Sequence, residues 1–278
     1  MCPSCLPPTN RVMEALPADV RRRWQPFLER VELPSNFVLH DSGQVVKFVY
    51  FPTTAMISLI FVTREGESME VALVGREGMV GVEVLLGGGS TPYSALVGTP
   101  GEALRVPAWV IREEMSRLGP APKLMLRYAL ALTSQVAQTA VCNRHHSVYQ
   151  RFCRWLLVHL DGIEGDEVVA THEQISQALG SRREGVTEAA HRLQRLGVIW
   201  YSRGRIRVLD REGLERQACE CHEVVQSEFA RLLPKPPSTM PALVVVRGTP
   251  REPSRQERGD AVGTGTDTGV GIRTAFAY

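Results

Sequence analysis

The chain has 278 residues, of which 44% are hydrophobic and 22% are charged, and its net charge is +2. This length is enough for two domains of ordinary size, and the balanced composition excludes a wholly disordered, collagen-like or disulfide-stapled chain. No apolar run approaches the roughly 18 residues of a membrane span, and the first residues lack the basic start and apolar stretch of a secretory signal. We therefore expect a cytoplasmic protein without a membrane partner, in which the six cysteines are thiols.

Short runs of β-branched and aromatic residues, separated by turn residues, follow one another between positions 33 and 106. The clearest runs are 45–51, 56–62 and 69–74, and glycine-containing turns separate them. Several short strands at this spacing are typical of a small antiparallel barrel or jelly roll. The sequence therefore predicts an N-terminal β-roll.

Helical periodicity begins after Pro107, and the longest predicted helix covers 120–142. Two apolar rows follow this helix on roughly opposite faces. The first row is Met125, Tyr128, Leu132, Gln135, Thr139 and Cys142, and the second is Leu126, Leu130, Ala137 and Val141. One row can pack on the β-roll and the other on a second copy of the chain, which favours a homodimer. The alternative is a helix buried between two domains of one chain.

After a further helix at about 148–161, two helix-start signals lie ten residues apart. Thr171 and Gln174 fit a capping box, and Ser181 and Glu184 repeat the pattern after Gly180. Two short helices joined by a tight turn form a helix-turn-helix. Their predicted shared core is Ile175, Leu179, Val186, Ala189, Ala190, Leu193 and Leu196, with the small Ser176 at the crossing of the helices.

The residues after Gly197 read as strand, turn and strand, which predicts a β-hairpin wing over 198–209. Between positions 180 and 207 there are seven basic residues and two acidic ones. The basic residues are Arg182, Arg183, Arg192, Arg195, Arg203, Arg205 and Arg207. Concentrated arginine next to a helix-turn-helix indicates double-stranded DNA as the partner, because arginine contacts to phosphates supply most of the sequence-independent affinity.

Base choice requires side chains near the start of the second helix. We assign Arg183 to a bidentate contact with guanine, Glu184 to the amine of cytosine, and Ser181, Arg182 and Arg203 to phosphates. The complete set of candidate DNA-contacting residues is Ser181, Arg182, Arg183, Glu184, Thr187, Glu188, Arg192 and Arg203. In a homodimer this arrangement predicts a palindromic operator with half-sites about one helical turn apart.

Four segments follow from these patterns. They are a sensor-like β-roll at 1–118, a dimerisation helix at 119–143, a winged helix-turn-helix domain at 144–233 and a tail at 234–278. The tail is rich in Pro and Gly and shows no periodicity, so we expect it to be disordered. The fold class is α+β.

This combination of β-roll, long helix and winged helix-turn-helix resembles the Crp/Fnr family of bacterial transcription regulators over about residues 10–232. The most specific motif is Leu-Gly-Ser-Arg-Arg-Glu-Gly-Val at 179–186, which is similar to the opening of the family's recognition helix. The resemblance implies that Arg183 and Glu184 read bases and that RNA polymerase is a partner. The family often has a second arginine one turn further on, where this chain has Glu188. A carboxylate at that position implies a different half-site.

The resemblance also suggests an effector pocket at Glu83, Tyr93 and Ser94. Cyclic-nucleotide-binding members place an arginine for the cyclic phosphate where this chain has Tyr93, and no Lys or Arg occurs between Arg76 and Arg105. A buried phosphate without a cationic partner loses its strongest hydrogen bonds, so we expect weak or no binding of cyclic AMP. The effector stays unassigned, and a regulator that needs no effector is a further alternative.

Two groups of cysteine and histidine residues support an alternative function, a thiol- or metal-based redox sensor with DNA binding as its output. They are Cys142, His145 and His146, and Cys219, Cys221 and His222. Cys2 and Cys5 form a C-x-x-C, but the predicted β-roll lacks the cysteine with which iron–sulfur members complete a cluster. Because lone thiols on helices are more often packing residues, we expect no metal and no cofactor. The sequence has no phosphate-loop, nucleophile-elbow, zincin or dinucleotide-binding motif, so we expect a protein that is not an enzyme.

Overall fold

A computed structural model describes residues 9–163, 165–233 and 246–248. Its N-terminal part begins with helices α1 (Arg11–Ala15) and α2 (Ala18–Trp24) and a 3₁₀ turn at Gln25–Phe27. Seven strands follow: β1 (Glu29–Leu33), β2 (Val38–His40), β3 (Phe48–Pro52), β4 (Met56–Val62), β5 (Ser68–Val74), β6 (Ser94–Thr99) and β7 (Gly101–Pro107). They pair antiparallel in two sheets, with the orders β1-β7-β3 and β2-β6-β4-β5. The predicted antiparallel β-roll is confirmed.

One apolar core joins the two sheets to the helices around them. Trp24 of α2 packs against Phe51 of β3, with ring centroids 6.2 Å apart, and both side chains are buried. Asn10 accepts hydrogen bonds from the first turn of α1, and its amide donates to the carbonyls of Pro52 and Gly78. The roll is therefore closed by polar as well as apolar contacts.

Helix α3 (Ala108–Met115) leads into the long helix α4 (Pro120–His145), which ends three residues beyond the predicted limit. Every member of its first row is buried against the rest of the chain. The Tyr128 hydroxyl donates to the Met79 carbonyl over 2.9 Å, and the Gln135 amide donates to the Leu73 carbonyl over 3.2 Å. Gly78 is required here, because a Cβ at this position would lie 2.4 Å from the Tyr128 hydroxyl oxygen.

The second row of α4 faces solvent. Leu126, Leu130 and Val141 are 45%, 50% and 49% exposed, and Ala137 is exposed as well. The same stripe contains Thr133, and none of its five residues is charged. We call this stripe, formed by Leu126, Leu130, Thr133, Ala137 and Val141, the α4 seam.

The C-terminal part consists of α5 (Val148–Gly162), β8 (Glu167–Val169), α6 (His172–Ala178), α7 (Arg183–Arg195), β9 (Ile199–Ser202), β10 (Arg205–Val208) and α8 (Arg211–Gln217). The strands form one antiparallel sheet in the order β8-β10-β9. A second apolar core fills this part, and it contains the predicted helix-turn-helix residues apart from Leu196. Leu196 is instead 55% exposed, because it caps the end of α7 and points away from the core.

Helix α9 (Cys221–Leu232) returns from the C-terminal part and packs along α4. Its Phe229 meets Tyr128 edge-on, with ring centroids 6.2 Å apart, and also packs against the core of the roll. The sequence analysis predicted neither α8 nor α9. The long helix α4 is therefore covered by elements from both ends of the chain.

Within the predicted tail, the structure describes only β11 (Val246–Gly248), which pairs in parallel with β1. This strand departs from the expectation of a tail without secondary structure, and the rest of 234–278 lies outside the described residues. Among the helices that the structure describes, none has the length and hydropathy needed to cross a membrane.

Candidate DNA-binding site

The turn between α6 and α7 sets the direction of the second helix. The predicted capping box at the start of α6 is present: the Gln174 amide donates to the Thr171 hydroxyl and the Thr171 amide to the Gln174 side chain. Gly180 takes a positive φ of 53°, and the Ser181 amide donates to the Ser176 carbonyl over 2.9 Å. A residue in the left-handed backbone conformation, followed by this backbone hydrogen bond, ends α6 and redirects the chain. The predicted helix-turn-helix is therefore confirmed.

The second predicted capping box, at Ser181 and Glu184, is wrong. The N-cap of α7 is Arg182, so the third residue of the helix is Gly185, which has no side chain to return to the cap. The Ser181 hydroxyl is buried and has no hydrogen-bond partner among the described residues. A phosphate contact by Ser181 would therefore require its hydroxyl to turn outward.

Helix α7 presents one face to the core and the opposite face to solvent. Its buried residues are Val186, Ala189, Ala190 and Leu193. An open groove runs along the outer face and is lined by Arg183, Glu184, Thr187, Glu188, His191 and Arg195. Four of these six residues belong to the predicted set. His191 was missed, although its spacing of four residues from Thr187 places it on the same face.

Arg183, Glu184 and Glu188 are exposed, and within the described chain none of the three forms an ion pair. Thr187 is held differently. Its hydroxyl donates to the Arg183 carbonyl over 3.0 Å and accepts a hydrogen bond from His172 over 2.9 Å. Thr187 thus ties α7 to α6, which leaves the two carboxylates and the guanidinium as the open polar groups at the start of the helix.

The arginines of this segment fall into two classes. Arg192 lies over the ring of Tyr149, with its guanidinium carbon 4.1 Å from the ring centroid. Arg205 and Arg207 pair with the Glu167 carboxylate of β8 at 2.7 Å and 3.3 Å. Four exposed arginines form neither an ion pair nor a ring contact with any described residue: Arg182, Arg183, Arg195 and Arg203. The basic surface is therefore smaller than the count of seven residues suggested.

The predicted wing is the hairpin of β9 and β10. Its two central turn residues, Arg203 and Gly204, have positive φ values of 49° and 76°. Positive φ at both central residues defines a type I′ turn, whose twist matches that of the flanking strands. The turn holds Arg203 at the exposed tip of the wing.

Contacts from the β-roll reach the helix-turn-helix through β5. Met69 accepts a hydrogen bond at its sulfur from the Asn143 amide over 3.1 Å and lies next to Gly180 in the turn. The neighbouring Glu70 accepts a hydrogen bond from Ser58 over 2.5 Å, and its burial raises the pKa of this carboxyl to about 7. Strand β5 therefore connects the roll with the turn that orients α7.

The predicted effector residues lie in two places. Glu83 belongs to the 3₁₀ turn Val82–Val84, where burial raises its pKa and neither carboxylate oxygen has a described partner. Tyr93 packs against the ring of His40 at 5.9 Å, and the Ser94 hydroxyl donates to Asp41 over 3.4 Å. No hydrogen bond among the described residues joins Glu83 to Tyr93 or Ser94.

Four residues from the two cysteine and histidine groups meet at one place. Cys142 and His146 come from the end of α4, and Cys219 and Cys221 come from the start of α9. Their potential ligand atoms all lie within 4.8 Å of one another, and the three cysteines are buried. We call this set the thiol cluster.

The other members of those groups lie elsewhere. His145 is exposed and lies outside the cluster, and His222 pairs with Asp161, with its Nε2 atom 2.7 Å from the carboxylate. Cys2 and Cys5 lie outside the described residues.

Comparisons with known proteins agree with this arrangement. A family model described as a Crp-like helix-turn-helix domain matches residues 150–217. The global nitrogen regulator of Nostoc sp. is 28% identical over 205 residues, which cover 69% of this chain and 89% of that protein.

Two solved structures show the same fold. A Crp/Fnr-family transcriptional regulator from Eubacterium rectale has a TM-score of 0.59 at 18% identity and covers 75% of this chain and 95% of that one. A CRP-family transcriptional regulator from Thermus thermophilus has a TM-score of 0.57 at 21% identity, with coverages of 67% and 95%. With the β-roll, the long helix and the winged helix-turn-helix in place, the chain has the fold of these Crp/Fnr-family regulators and carries a Crp-like helix-turn-helix domain at residues 150–217.

Proposed function

We propose that the protein is a homodimeric, sequence-specific transcription regulator that places α7 of each protomer in successive major grooves of a palindromic site. The observation that carries the proposal is the exposed start of α7, where Arg183 and Glu184 are held by a buried helix-turn-helix core and make no described ion pair. A rigid scaffold that presents open polar groups at a recognition helix is suited to reading base edges.

Base readout then divides among three side chains. Arg183 is the first residue of α7 and carries the fork of donors that matches the O6 and N7 acceptors of guanine. Glu184 accepts from the amine of cytosine. Glu188 lies one turn further along the same face, where a carboxylate favours a cytosine amine over a guanine acceptor or a phosphate. The half-site is therefore expected to differ from one read by a second arginine.

Phosphate contacts are assigned to the exposed arginines that flank this helix. Arg182 precedes α7 and Arg203 occupies the tip of the wing, so the two phosphate contacts would come from two separate elements. Arg195, at the end of α7, joins them in our proposal because it is exposed and makes no described ion pair. Arg192 is a weaker candidate than the sequence suggested, because it must leave the ring of Tyr149 to reach DNA.

The α4 seam supports the homodimer. The leucines and the valine of this uncharged stripe are about half exposed along about four helical turns, so they leave apolar surface in water. A second copy of the same stripe would cover this surface. An interface between two copies is self-complementary when it is built around a two-fold axis. Pairing through α4 would also fix the distance between the two copies of α7.

We further propose that the protein acts in the cytoplasm and is not an enzyme, because the relatives that it resembles are named as regulators. RNA polymerase as a partner and the domain limits given above stay predictions. We assign no effector. Because no Lys or Arg occurs between Arg76 and Arg105 in the sequence, we predict that cyclic AMP does not bind tightly, and a micromolar or tighter dissociation constant in calorimetry would contradict this.

The alternative function, a thiol- or metal-based sensor whose output is DNA binding, draws support from the thiol cluster. The cluster joins α4 to α9, away from the groove of α7. It can therefore act together with DNA binding without replacing it.

The experiment that tests the proposed function selects bound duplexes from a random DNA library and then measures affinity with two variants. We expect one palindrome to be enriched. Arg183→Ala should weaken binding to that palindrome by about 5- to 150-fold, equivalent to about 1–3 kcal/mol, with a smaller effect on random DNA. Arg203→Asn removes the charge and keeps a residue that tolerates positive φ, so it should weaken all duplexes alike and reduce the salt slope by about 1. Failure to enrich any palindrome would refute the function, and equal losses on both DNAs for Arg183→Ala would refute its role.

A further inference from the structure

We propose that the thiol cluster is a structural metal site in which Cys142, Cys219, Cys221 and the Nδ1 atom of His146 bind one Zn²⁺ ion in tetrahedral geometry. The proposal concerns a part of the molecule that the DNA-binding function does not use. It can also be tested without DNA.

The elements that supply the ligands hold them in fixed positions. Cys142 and His146 are four residues apart at the end of α4, a spacing that puts their side chains on one face of a helix. Cys221 is the first residue of α9 and Cys219 lies two residues before it, so the packing of α9 on α4 positions both cysteines. Four potential ligands thus come from two rigid elements whose sequences lie more than seventy residues apart.

The distances match those of a tetrahedral site. Zn–S bonds of about 2.3 Å and Zn–N bonds of about 2.0–2.1 Å place neighbouring ligand atoms about 3.5–3.8 Å apart. The Sγ atoms of Cys142 and Cys219 are 3.6 Å apart, and the Sγ of Cys221 lies 3.4 Å from Nδ1 of His146. Since all four ligand atoms lie within 4.8 Å of one another, small rotations of the side chains complete the geometry.

The surroundings of the cluster supply a second, independent observation. While Nδ1 of His146 faces the cysteines, its Nε2 atom lies 3.4 Å from the carboxylate of Glu220. A histidine whose other ring nitrogen is held by a carboxylate is the usual arrangement around zinc, because the carboxylate fixes the tautomer and raises the basicity of the ligand atom. The Gln138 amide also donates to the Cys221 sulfur over 3.1 Å.

The donor set selects the metal. Three thiolates and one imidazole in a closed tetrahedral arrangement are typical of structural zinc sites, whereas Mg²⁺ and Ca²⁺ prefer oxygen ligands. The protein supplies all four ligands and the cysteines are buried, so no position is left for a substrate. On binding, the three thiols release their protons to solvent and each sulfur donates an electron pair to the ion.

Such a site would act as a cross-link between α4 and α9. It lies where the dimerisation helix ends and where α9 begins its return to the roll. The ion would therefore hold the last helix in its observed position on α4.

The test measures zinc directly. Protein purified without chelators is analysed for metal content, and the metal-free form is titrated with ZnCl2 in competition with a chromophoric chelator. We expect one zinc per chain and, on chelation, three thiols that become newly reactive. Cys142→Ala and Cys219→Ala should lose the bound zinc, whereas Cys153→Ala, which changes a buried cysteine outside the cluster, should keep one zinc per chain.

Glu220→Gln keeps the test valid if the cysteine variants do not fold. The Glu220 side chain is 69% exposed, so its replacement leaves packing intact while removing the carboxylate from His146. We expect zinc affinity to fall about 10- to 100-fold. The proposal is overturned if the folded wild-type protein neither retains nor takes up zinc, or if Cys153→Ala loses it as well. It is also overturned if mass spectrometry shows a disulfide between Cys142 and Cys219 in protein freshly purified in the presence of a reducing agent.

Discussion

Truncation of Leu130 to alanine should weaken the dimer that we propose. Leu130 is half exposed in the α4 seam, and burial of a whole leucine side chain is worth about 1.5–3 kcal/mol, so covering the exposed half contributes about 1 kcal/mol per protomer. Two copies lose this contribution in the dimer, which gives about 2 kcal/mol or about a 30-fold higher dissociation constant. Alanine is a strong helix former, so the helix itself is preserved.

Sedimentation equilibrium over a range of concentrations measures this dissociation constant. Leu209→Ala is the matched control, because Leu209 is 59% exposed and lies between β10 and α8, away from the seam. A second truncation, Val141→Ala, should add to the first, because eleven residues of helix separate the two sites by about 16 Å. Equal dissociation constants for wild-type protein and Leu130→Ala, or an equal weakening by Leu209→Ala, would refute the assignment of the seam as the dimer interface.

Three further predictions concern folding stability, measured by urea unfolding. The pKa of Glu70 is raised to about 7, so the folded state binds a proton that the unfolded state releases above about 4.5, and stability falls as pH rises between these values. Glu70→Gln should remove this fall and be more stable than wild type at pH 8 by about 1–3 kcal/mol; an unchanged pH profile would contradict it. Burial lowers the pKa of His159 to about 4, so stability is lost as pH falls from about 6.5 to 4, by at most about 3 kcal/mol. His159→Asn, whose side-chain amide keeps a hydrogen-bond donor, should reduce this loss of stability at low pH. A loss as steep as that of wild type, or steeper, would exclude His159 as the cause. Gly78→Ala should cost about 1–3 kcal/mol because its Cβ meets Tyr128, whereas Gly89→Ala, with open space around it, should be close to neutral; equal costs would rule out this contact as the cause.

The helix-turn-helix could be predicted from the sequence because its determinants are local. The capping box at Thr171 and Gln174 and the apolar spacing of α6 and α7 act over a few residues, and the structure shows both. The second capping box failed for an equally local reason. A backbone bond from Ser181 to Ser176 moved the start of α7 by one residue and put Gly185 at the position of the returning side chain.

Features that depend on distant parts of the chain were harder to predict. The cysteines of the thiol cluster were noticed as two separate groups, but only the packing of α9 on α4 shows that His146 joins them and that His222 does not. The size of the basic surface was overestimated for the same reason. The partner of Arg205 lies on β8, a strand that the sequence analysis did not predict.

The place where His146 meets Glu220 has a mechanical consequence. The chain enters the unit 148–217 directly after His146 and leaves it just before Glu220, and these two side chains are 3.4 Å apart. The points at which the chain enters and leaves the unit thus lie side by side, and Met69 of β5 contacts the unit at a third point, next to Gly180. Any swivel of the recognition helix about the paired ends would therefore have to break the contact with β5. A unit whose two ends adjoin can also be transplanted, because another domain with neighbouring ends could replace it without stretching α4 or α9.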